Sequence, residues 1–192
     1  MRKLLLIVCL LTAAPGWSEP MTEALARKLV GYDVSQLRVS GNWALCQWSM
    51  SEAEGMALFH RYGQRWEIAQ SGGGAMAGSE LAILGVPPAD RRALIGSDSA
   101  GEVLNEPYWT WLTRKKRITD SDLENHTAWE LTLMRNEIFA VHGRTFQDPE
   151  LRTMFMERPW YHPGGYSDAK LSALERANAE FILSYQKRTG KL

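Results

Sequence analysis

The run Leu131-Thr-Leu-Met-Arg-Asn-Glu-Ile-Phe-Ala-Val-His-Gly-Arg-Thr-Phe146 is the most informative stretch of the chain. Its apolar residues recur at the spacing of one face of a helix. Upstream, Thr127 and Glu130 have the spacing of a capping box, which satisfies free N–H groups at a helix start. Downstream, Gly143 can take the left-handed conformation that ends a helix. The sequence therefore predicts a helix over about residues 128–142.

Residues 135–143, followed by Phe146, resemble the signature of the YARHG domain. The five letters of that name are represented by Phe139-Ala-Val-His-Gly143, so tyrosine is replaced by phenylalanine and arginine by valine. Matching positions on both sides extend the resemblance over about residues 118–189. The motif residues are Arg135, Asn136, Glu137, His142, Gly143 and Phe146. The resemblance implies an extracytoplasmic bacterial module of unknown molecular function, and it supplies no catalytic residues.

We expect the motif residues to be structural. A cation in the last turn of a helix is favoured by about 0.3–1 kcal/mol, so His142 needs no catalytic role. An arginine buried along a helix needs a forked acceptor, and Asp148 or Glu175 could supply one for Arg135. Glu137 and His142 are five residues apart. They therefore do not share a helix face as the two histidines of a zinc-protease motif do.

Residues 1–18 have the parts of a secretory signal peptide, with a basic start, an apolar run over residues 4–11 and small residues before Glu19. The apolar run is too short to span a bilayer as a permanent helix. Cys9 opens the alternative of a lipoprotein, although Val8 stands where a small residue is expected. We therefore expect a periplasmic or secreted protein of the bacterial cell envelope, with no stable membrane span.

Charge and cysteine content narrow the possible functions. Cleavage after residue 18 removes Arg2 and Lys3 from 22 basic groups and leaves 20 against 22 acidic groups, a net charge of −2. This balance argues against a binder of nucleic acid or of an anionic membrane. Cys46 is the one cysteine left in the mature sequence, so no intramolecular disulfide can form. No basic neighbour in sequence activates this thiol, and we expect no catalytic thiolate.

Residues 19–96 are predicted to form a small α+β module, an antiparallel sheet covered by helices. Residues 37–48 alternate as one strand, and residues 56–59 and 65–69 are two further strands with a hairpin turn between them. Helices are predicted over residues 19–30, 79–84 and 87–95. The module is loosely similar to small exported proteobacterial proteins, some labelled as copper-uptake-associated. Its scattered His, Cys and Met residues lack the clustering that copper sites prefer.

The rest of the chain is predicted to be a linker and a helical module. Residues 97–117 have the composition of a linker, and residues 118–192 form an all-helical YARHG-like module. Thr119 and Ser167 are the predicted caps of its first and last helices, and Asp148 with the following proline starts another helix.

Aromatic side chains in turn-rich segments are the candidate binding residues. They are Trp109, Trp111, Trp160 and Tyr161. Such residues belong either to the core of a small domain or to an exposed surface that stacks on a polysaccharide or protein ligand. The sequence contains no Gly-x-Ser-x-Gly, phosphate-loop or dinucleotide motif, and we expect no catalytic residues, metal or cofactor.

These observations favour a non-catalytic binding or assembly module whose partner is an envelope protein or a cell-wall polymer. A second hypothesis is an envelope enzyme that uses His142 with Glu137 or Asp148 as acid–base groups. A third is an inhibitor or folding partner of another exported protein.

Overall fold

The computed structural model describes residues 19–192, so the predicted signal peptide and Cys9 lie outside the described residues. Four antiparallel strands form a sheet in the order β1-β2-β3-β4. The strands are β1 (Asp33–Ser40), β2 (Trp43–Met50), β3 (Ala53–Tyr62) and β4 (Arg65–Gly73). The helices are α1 (Glu23–Val30), α2 (Gly78–Ile83), α3 (Pro88–Ile95), α4 (Thr110–Thr113), α5 (Asp120–Leu123), α6 (Ala128–Ala140), α7 (Pro149–Met156) and α8 (Ala173–Thr189). A sheet followed by helices confirms the predicted α+β class.

Tight turns join the strands. Gly63 has a φ of 61° in the turn between β3 and β4, where the sequence predicts a hairpin. Gly41 has a φ of 55° and turns β1 into β2. The prediction of one continuous strand over residues 37–48 is therefore wrong. The two-residue alternation continues across this turn, so periodicity alone does not reveal the hairpin.

Both faces of the sheet are buried. On β2, Ala44 and Cys46 face a core that α1 covers, and Trp43 and Leu45 face a second core on the other side. This confirms the predicted alternation of the strand. We call the core that α1 covers the outer core. Its buried members are Met21, Ala26, Val34, Ala44, Cys46, Ala57, Phe59 and Trp66. The second, the central core, includes Trp43, Leu45, Leu58, Leu81, Leu84, Leu94, Trp129, Leu133, Ala140, Phe146, Met154, Phe155 and Tyr161.

Helix α6 begins and ends as the sequence predicts, within two residues. The hydroxyl of Thr127 accepts the backbone N–H of Glu130 at 3.2 Å, and the Glu130 carboxylate accepts the N–H of Thr127 at 2.8 Å. Val141 is the C-cap residue, and Gly143, two residues later, has a φ of 81°. His142 therefore lies in the turn after the helix.

Two faces of α6 are buried in different cores. The predicted apolar stripe supplies Leu131, Met134 and Ile138 to a third core, which we call the helical core. The helical core also contains Trp109, Leu112, Ile118, Leu123, Leu171, Ala179, Ile182 and Tyr185. A second stripe that the sequence analysis does not identify supplies Trp129, Leu133 and Ala140 to the central core. Helix α6 therefore connects the sheet to the other helices.

The segment predicted as a linker, residues 97–117, is ordered and packed. It contains a 3-10 turn (Gly101–Leu104) and α4, and it buries Leu104, Trp109 and Leu112. Its polar and turn-forming residues suggest a linker, but Trp109 and Leu112 are anchored in the helical core. We predict that residues 118–192 fold alone as a helical domain, which circular dichroism of that fragment would measure. The central core, which joins the sheet to α6 and α7, would be incomplete in this fragment.

The start of α8 differs from the prediction. Ser167 precedes a 3-10 turn (Asp168–Lys170), and the cap of α8 is Ser172, whose hydroxyl accepts the N–H of Glu175 at 3.1 Å. The Glu175 carboxylate accepts the backbone N–H of Ser172 at 2.8 Å, which completes a capping box. Among residues 19–192, no helix has the length and apolar content needed to cross a membrane.

Gly143→Ala should destabilise the fold. A Cβ at this position would lie 2.5 Å from the carbonyl oxygen of Gly164, and the positive φ strains any L side chain. We expect a loss of about 1–3 kcal/mol in the free energy of unfolding, measured by urea denaturation. Gly31→Ala is the matched control, because Gly31 has a φ of 82° and open space around it. Equal losses for both variants would show that the contact with Gly164 contributes nothing.

Candidate functional site

The candidate aromatic residues lie in different environments. Trp109 and Tyr161 are each 5% exposed, in the helical and central cores respectively, and Trp160 is half-buried against the central core. The rings of Trp109 and Tyr161 are therefore inaccessible to a ligand in this fold, whereas the ring of Trp160 is partly accessible. Trp111 is 59% exposed and remains available. Turn-rich sequence around an aromatic residue does not distinguish a core ring from a surface ring.

Glu137 fixes the start of α4. Its carboxylate is buried and accepts the backbone N–H groups of Trp109 and, at 3.0 Å, of Tyr108. Burial raises the pKa of Glu137 to about 7, and these N–H groups and the nearby Arg158 oppose that rise. The contacts support the structural interpretation of this residue.

His142 bonds to a carboxylate other than those of the enzyme hypothesis. Its Nε2 lies 2.9 Å from Oε1 of Glu175, and the same oxygen is 3.0 Å from Nε of Arg114. Asp148 instead caps α7 by accepting the N–H groups of Glu150 and Leu151 at 2.8 and 3.0 Å. His142, Glu137 and Asp148 therefore each bond to a different part of the fold.

Two further motif residues have contacts inside the fold. Asn136 is buried and donates from Nδ2 to the carbonyl oxygen of Thr132 at 2.8 Å. Phe146 is buried in the central core, where its ring stacks on Phe155 with centroids 4.8 Å apart. These contacts orient both side chains within the fold, and Asn136 also lines a depression beside α6.

Arg135 differs from the other motif residues. Its side chain is half-buried, and Nη1 donates to Oε1 of Gln186 at 2.9 Å. Neither predicted acceptor contacts it, because Asp148 caps α7 and Glu175 bonds to His142. Within the described part of the chain, Arg135 has no ion pair, and burial lowers its pKa below the usual range. A cation is thus partly removed from water without a counter-charge.

Arg135 lines a depression between α6 and α8, which we call the arginine groove. Its volume is about 470 Å³. Three cations line it, Arg135, Arg144 and Arg176, together with the carboxylates of Asp168 and Glu180. Apolar lining comes from Phe139, Leu171, Ala179, Leu183 and Leu192. The groove combines an apolar floor with several guanidinium groups.

The other two arginines of the groove contact aromatic rings and a backbone carbonyl. The Arg144 guanidinium lies over the rings of Phe139 and Tyr166, 4.7 and 5.7 Å from their centroids. Arg176 donates from Nη2 to the backbone carbonyl of Asp168 at 3.0 Å. In residues 19–192, no carboxylate lies within 4.0 Å of the charged nitrogens of these three arginines. Each retains N–H groups for an external acceptor.

A second depression adjoins the groove, and we call it the aromatic cleft. It has a volume of about 160 Å³, and its lining includes His60, Tyr62 and Trp129. Arg135 and Leu192 line both the cleft and the groove. The sequence motifs do not predict His60 as a site residue. The available signal is alternation along β3, which places it on the same sheet face as Leu58.

The thiol of Cys46 is buried, and the potential metal ligands of residues 19–192 do not cluster. Cys46 is buried, and burial raises the pKa of its thiol to about 11, so the thiol stays protonated near neutral pH. The described residues contain no group of three or more His, Cys, Asp or Glu side chains placed to hold a metal ion.

Comparison with known families identifies the helical region. Residues 106–187 match the family model of the YARHG domain. This C-terminal region is a YARHG domain. The YARHG match begins before residue 118 and so includes α4 and the two N–H groups that Glu137 binds. Such domains are typically found in exported proteins. No curated protein and no solved structure matches the chain.

Glu137 should make stability depend on pH. Its folded-state pKa of about 7 exceeds the ordinary value of 4.5, so its stabilising contribution is complete below pH 4.5 and is lost as the pH rises through 7. The free energy of unfolding should fall by about 3 kcal/mol over this window. Glu137→Gln should remove most of that dependence in urea titrations at several pH values. The control Glu52→Gln, at an exposed turn position, should keep it. A parent-like pH profile for Glu137→Gln would contradict this assignment.

Proposed function

We propose that the chain is a non-catalytic binding or assembly module of the bacterial envelope, and that the arginine groove binds a ligand that carries carboxylates. The ligand is an envelope protein or a cell-wall polymer. The observation that carries this proposal is the half-buried Arg135, which has no ion pair in the described structure.

The partial burial of Arg135 has an energetic cost from desolvation. Removing a charge from water is unfavourable unless an opposite charge or several hydrogen bonds compensate. Among residues 19–192, the Arg135 side chain donates to Gln186 and is next to a second cation, Arg144. A bound carboxylate would accept two parallel N–H groups and supply the missing charge. The unbound groove is therefore preorganised for an anion.

The size and lining of the groove also favour binding. Its volume of about 470 Å³ falls in the range of about 300–1,000 Å³ that is usual for ligand pockets. Phe139, Leu171 and Leu183 provide apolar contacts between the cations. Peptides and cell-wall polymers with carboxylates combine both kinds of group. The enzyme hypothesis has less support, because His142 bonds to Glu175 and does not line the groove.

Loss of the exposed arginines should abolish ligand capture without unfolding the protein. We expect the mature chain to co-sediment with cell-wall sacculi or to retain envelope proteins in a pull-down. The double variant Arg144→Ala/Arg176→Ala should lose this capture and keep the parent melting temperature, because both side chains are exposed. Arg152→Ala is the matched control, an exposed arginine on α7 away from the groove. Parent-like capture by the double variant would rule out the groove.

Trp111 is a second contact that we propose for the same ligand. It lines an open depression with Tyr108, Arg114 and Lys115, which offers an exposed ring beside cations. Trp111→Ala should leave the melting temperature unchanged and weaken capture of sacculi, measured by co-sedimentation. Phe181→Ala, a partly buried ring of the helical core, should instead lower the melting temperature. Unchanged capture by Trp111→Ala would remove this residue from the site.

A further inference from the structure

The groove and the aromatic cleft meet at Arg135. This side chain lines both depressions, as does Leu192. The groove extends from Arg135 along α6 and α8, whereas the cleft extends toward the sheet. One guanidinium can therefore hold an anionic group whose neighbours extend in two directions.

The cleft is built from rings that the fold holds in place. The centroid of the Trp129 ring lies 4.1 Å from that of His60, and the indole Nε1 donates to the carbonyl of Leu84 at 2.7 Å. His60 bonds through Nε2 to Glu150 at 2.7 Å. Tyr62 is 49% exposed and lies 6.5 Å, centroid to centroid, from Trp129. Trp129 and His60 are 4% and 1% exposed, so Tyr62 supplies the accessible ring surface of the cleft.

The volume and charge of the cleft restrict what fits. A cavity of roughly 150 Å³ holds one benzene-sized ring, and the cleft has a volume of about 160 Å³. Its cations are Arg135 and Lys191, and its carboxylate is Glu67, which pairs with Arg65 at 2.9 Å. The Lys191 ammonium donates to the backbone carbonyl of His126 at 2.7 Å. The cleft therefore has room for one ring or large apolar group beside the guanidinium of Arg135.

We propose that the groove and the cleft together bind the C-terminal residue of a polypeptide that ends in an aromatic or large apolar side chain. This inference rests on the proposed function and names its ligand class. The α-carboxylate binds Arg135, the last side chain fills the cleft, and the preceding residues lie along the groove toward Arg144 and Arg176. In a C-terminal residue the carboxylate and the side chain branch from one carbon. A cation shared by two depressions matches that geometry.

Other carboxylate ligands satisfy fewer of these features. A peptide that ends in alanine, or an acidic polymer without rings, would contact the arginines but leave the aromatic cleft unfilled. An internal aspartate or glutamate would place its carboxylate at the end of a side chain, with no apolar group on the same carbon. Recognition of a chain terminus also agrees with the hypothesis of a folding partner for another exported protein.

The test uses fluorescein-labelled peptides and fluorescence anisotropy with the full mature chain. Three peptides share one sequence and differ at the end: a C-terminal phenylalanine with a free carboxylate, the same residue as an amide, and a C-terminal alanine with a free carboxylate. We expect the first to bind about tenfold more tightly than either of the others. Added salt should weaken the first and third more than the amide.

Two variants separate the roles of the groove and the cleft. Tyr62→Ala should remove the preference for phenylalanine over alanine and keep the preference for the carboxylate. Arg135→Gln should remove the preference for the carboxylate, and Arg135→Lys, which keeps the charge without the fork, should retain part of it. Tyr32→Ala is the matched control, since Tyr32 is 41% exposed beside Trp48 and does not line the cleft. Its affinities should equal those of the parent.

Peptide affinities test the terminal-residue inference, and capture of sacculi or envelope proteins tests the proposed function. Equal affinities for the three peptides, with capture of sacculi still dependent on Arg144 and Arg176, would overturn the terminal-residue inference and leave the groove as a binding site. Loss of peptide binding in Tyr32→Ala would also overturn it, because the preference would not come from the cleft. If neither peptides nor sacculi nor envelope proteins bind, both proposals are wrong.

Discussion

The burial of α6 on two sides is the constraint on which most of the structure depends. One side belongs to the central core with the sheet, and the other belongs to the helical core with α8. A helix buried on two faces has little surface left for charged residues. Arg135 and Glu137 are charged residues of this helix. The Glu137 carboxylate accepts two backbone N–H groups, and the Arg135 guanidinium lines two depressions. The burial that fixes α6 therefore also leaves Arg135 half-buried, with no ion pair among residues 19–192.

Local signals in the sequence predict the fold best. The capping box at Thr127, the glycine after α6 and the cap at Asp148 are all read from neighbouring residues, and the structure has each of them. Errors arise where two local signals compete. Ser167 and Ser172 are both acceptable caps, but only Ser172 has a glutamate three residues later. The second buried stripe of α6 is missed because its three apolar residues are spread over more than three turns.

The groove and the cleft could not be predicted in the same way, because they depend on contacts between distant residues. General chemistry predicts a carboxylate partner for Arg135. In the structure its hydrogen-bond acceptor is the side-chain oxygen of Gln186, on α8. His60 and Trp129 approach each other through the central core although they are far apart in sequence. Burial of Trp109 and Tyr161 likewise follows from tertiary structure, since turn-rich sequence surrounds both core and surface rings.

The position of Cys46 has a practical consequence for the study of motions in this fold. The thiol is completely buried between β1 and β3, against α1, in the outer core. Alkylating reagents can reach it when the sheet separates from α1 or when the chain unfolds. In the chain without residues 1–18, its labelling rate at a fixed reagent concentration would report the population of opened molecules, as amide hydrogen exchange does for backbone groups. One native side chain thus records local opening of the sheet region without an engineered probe.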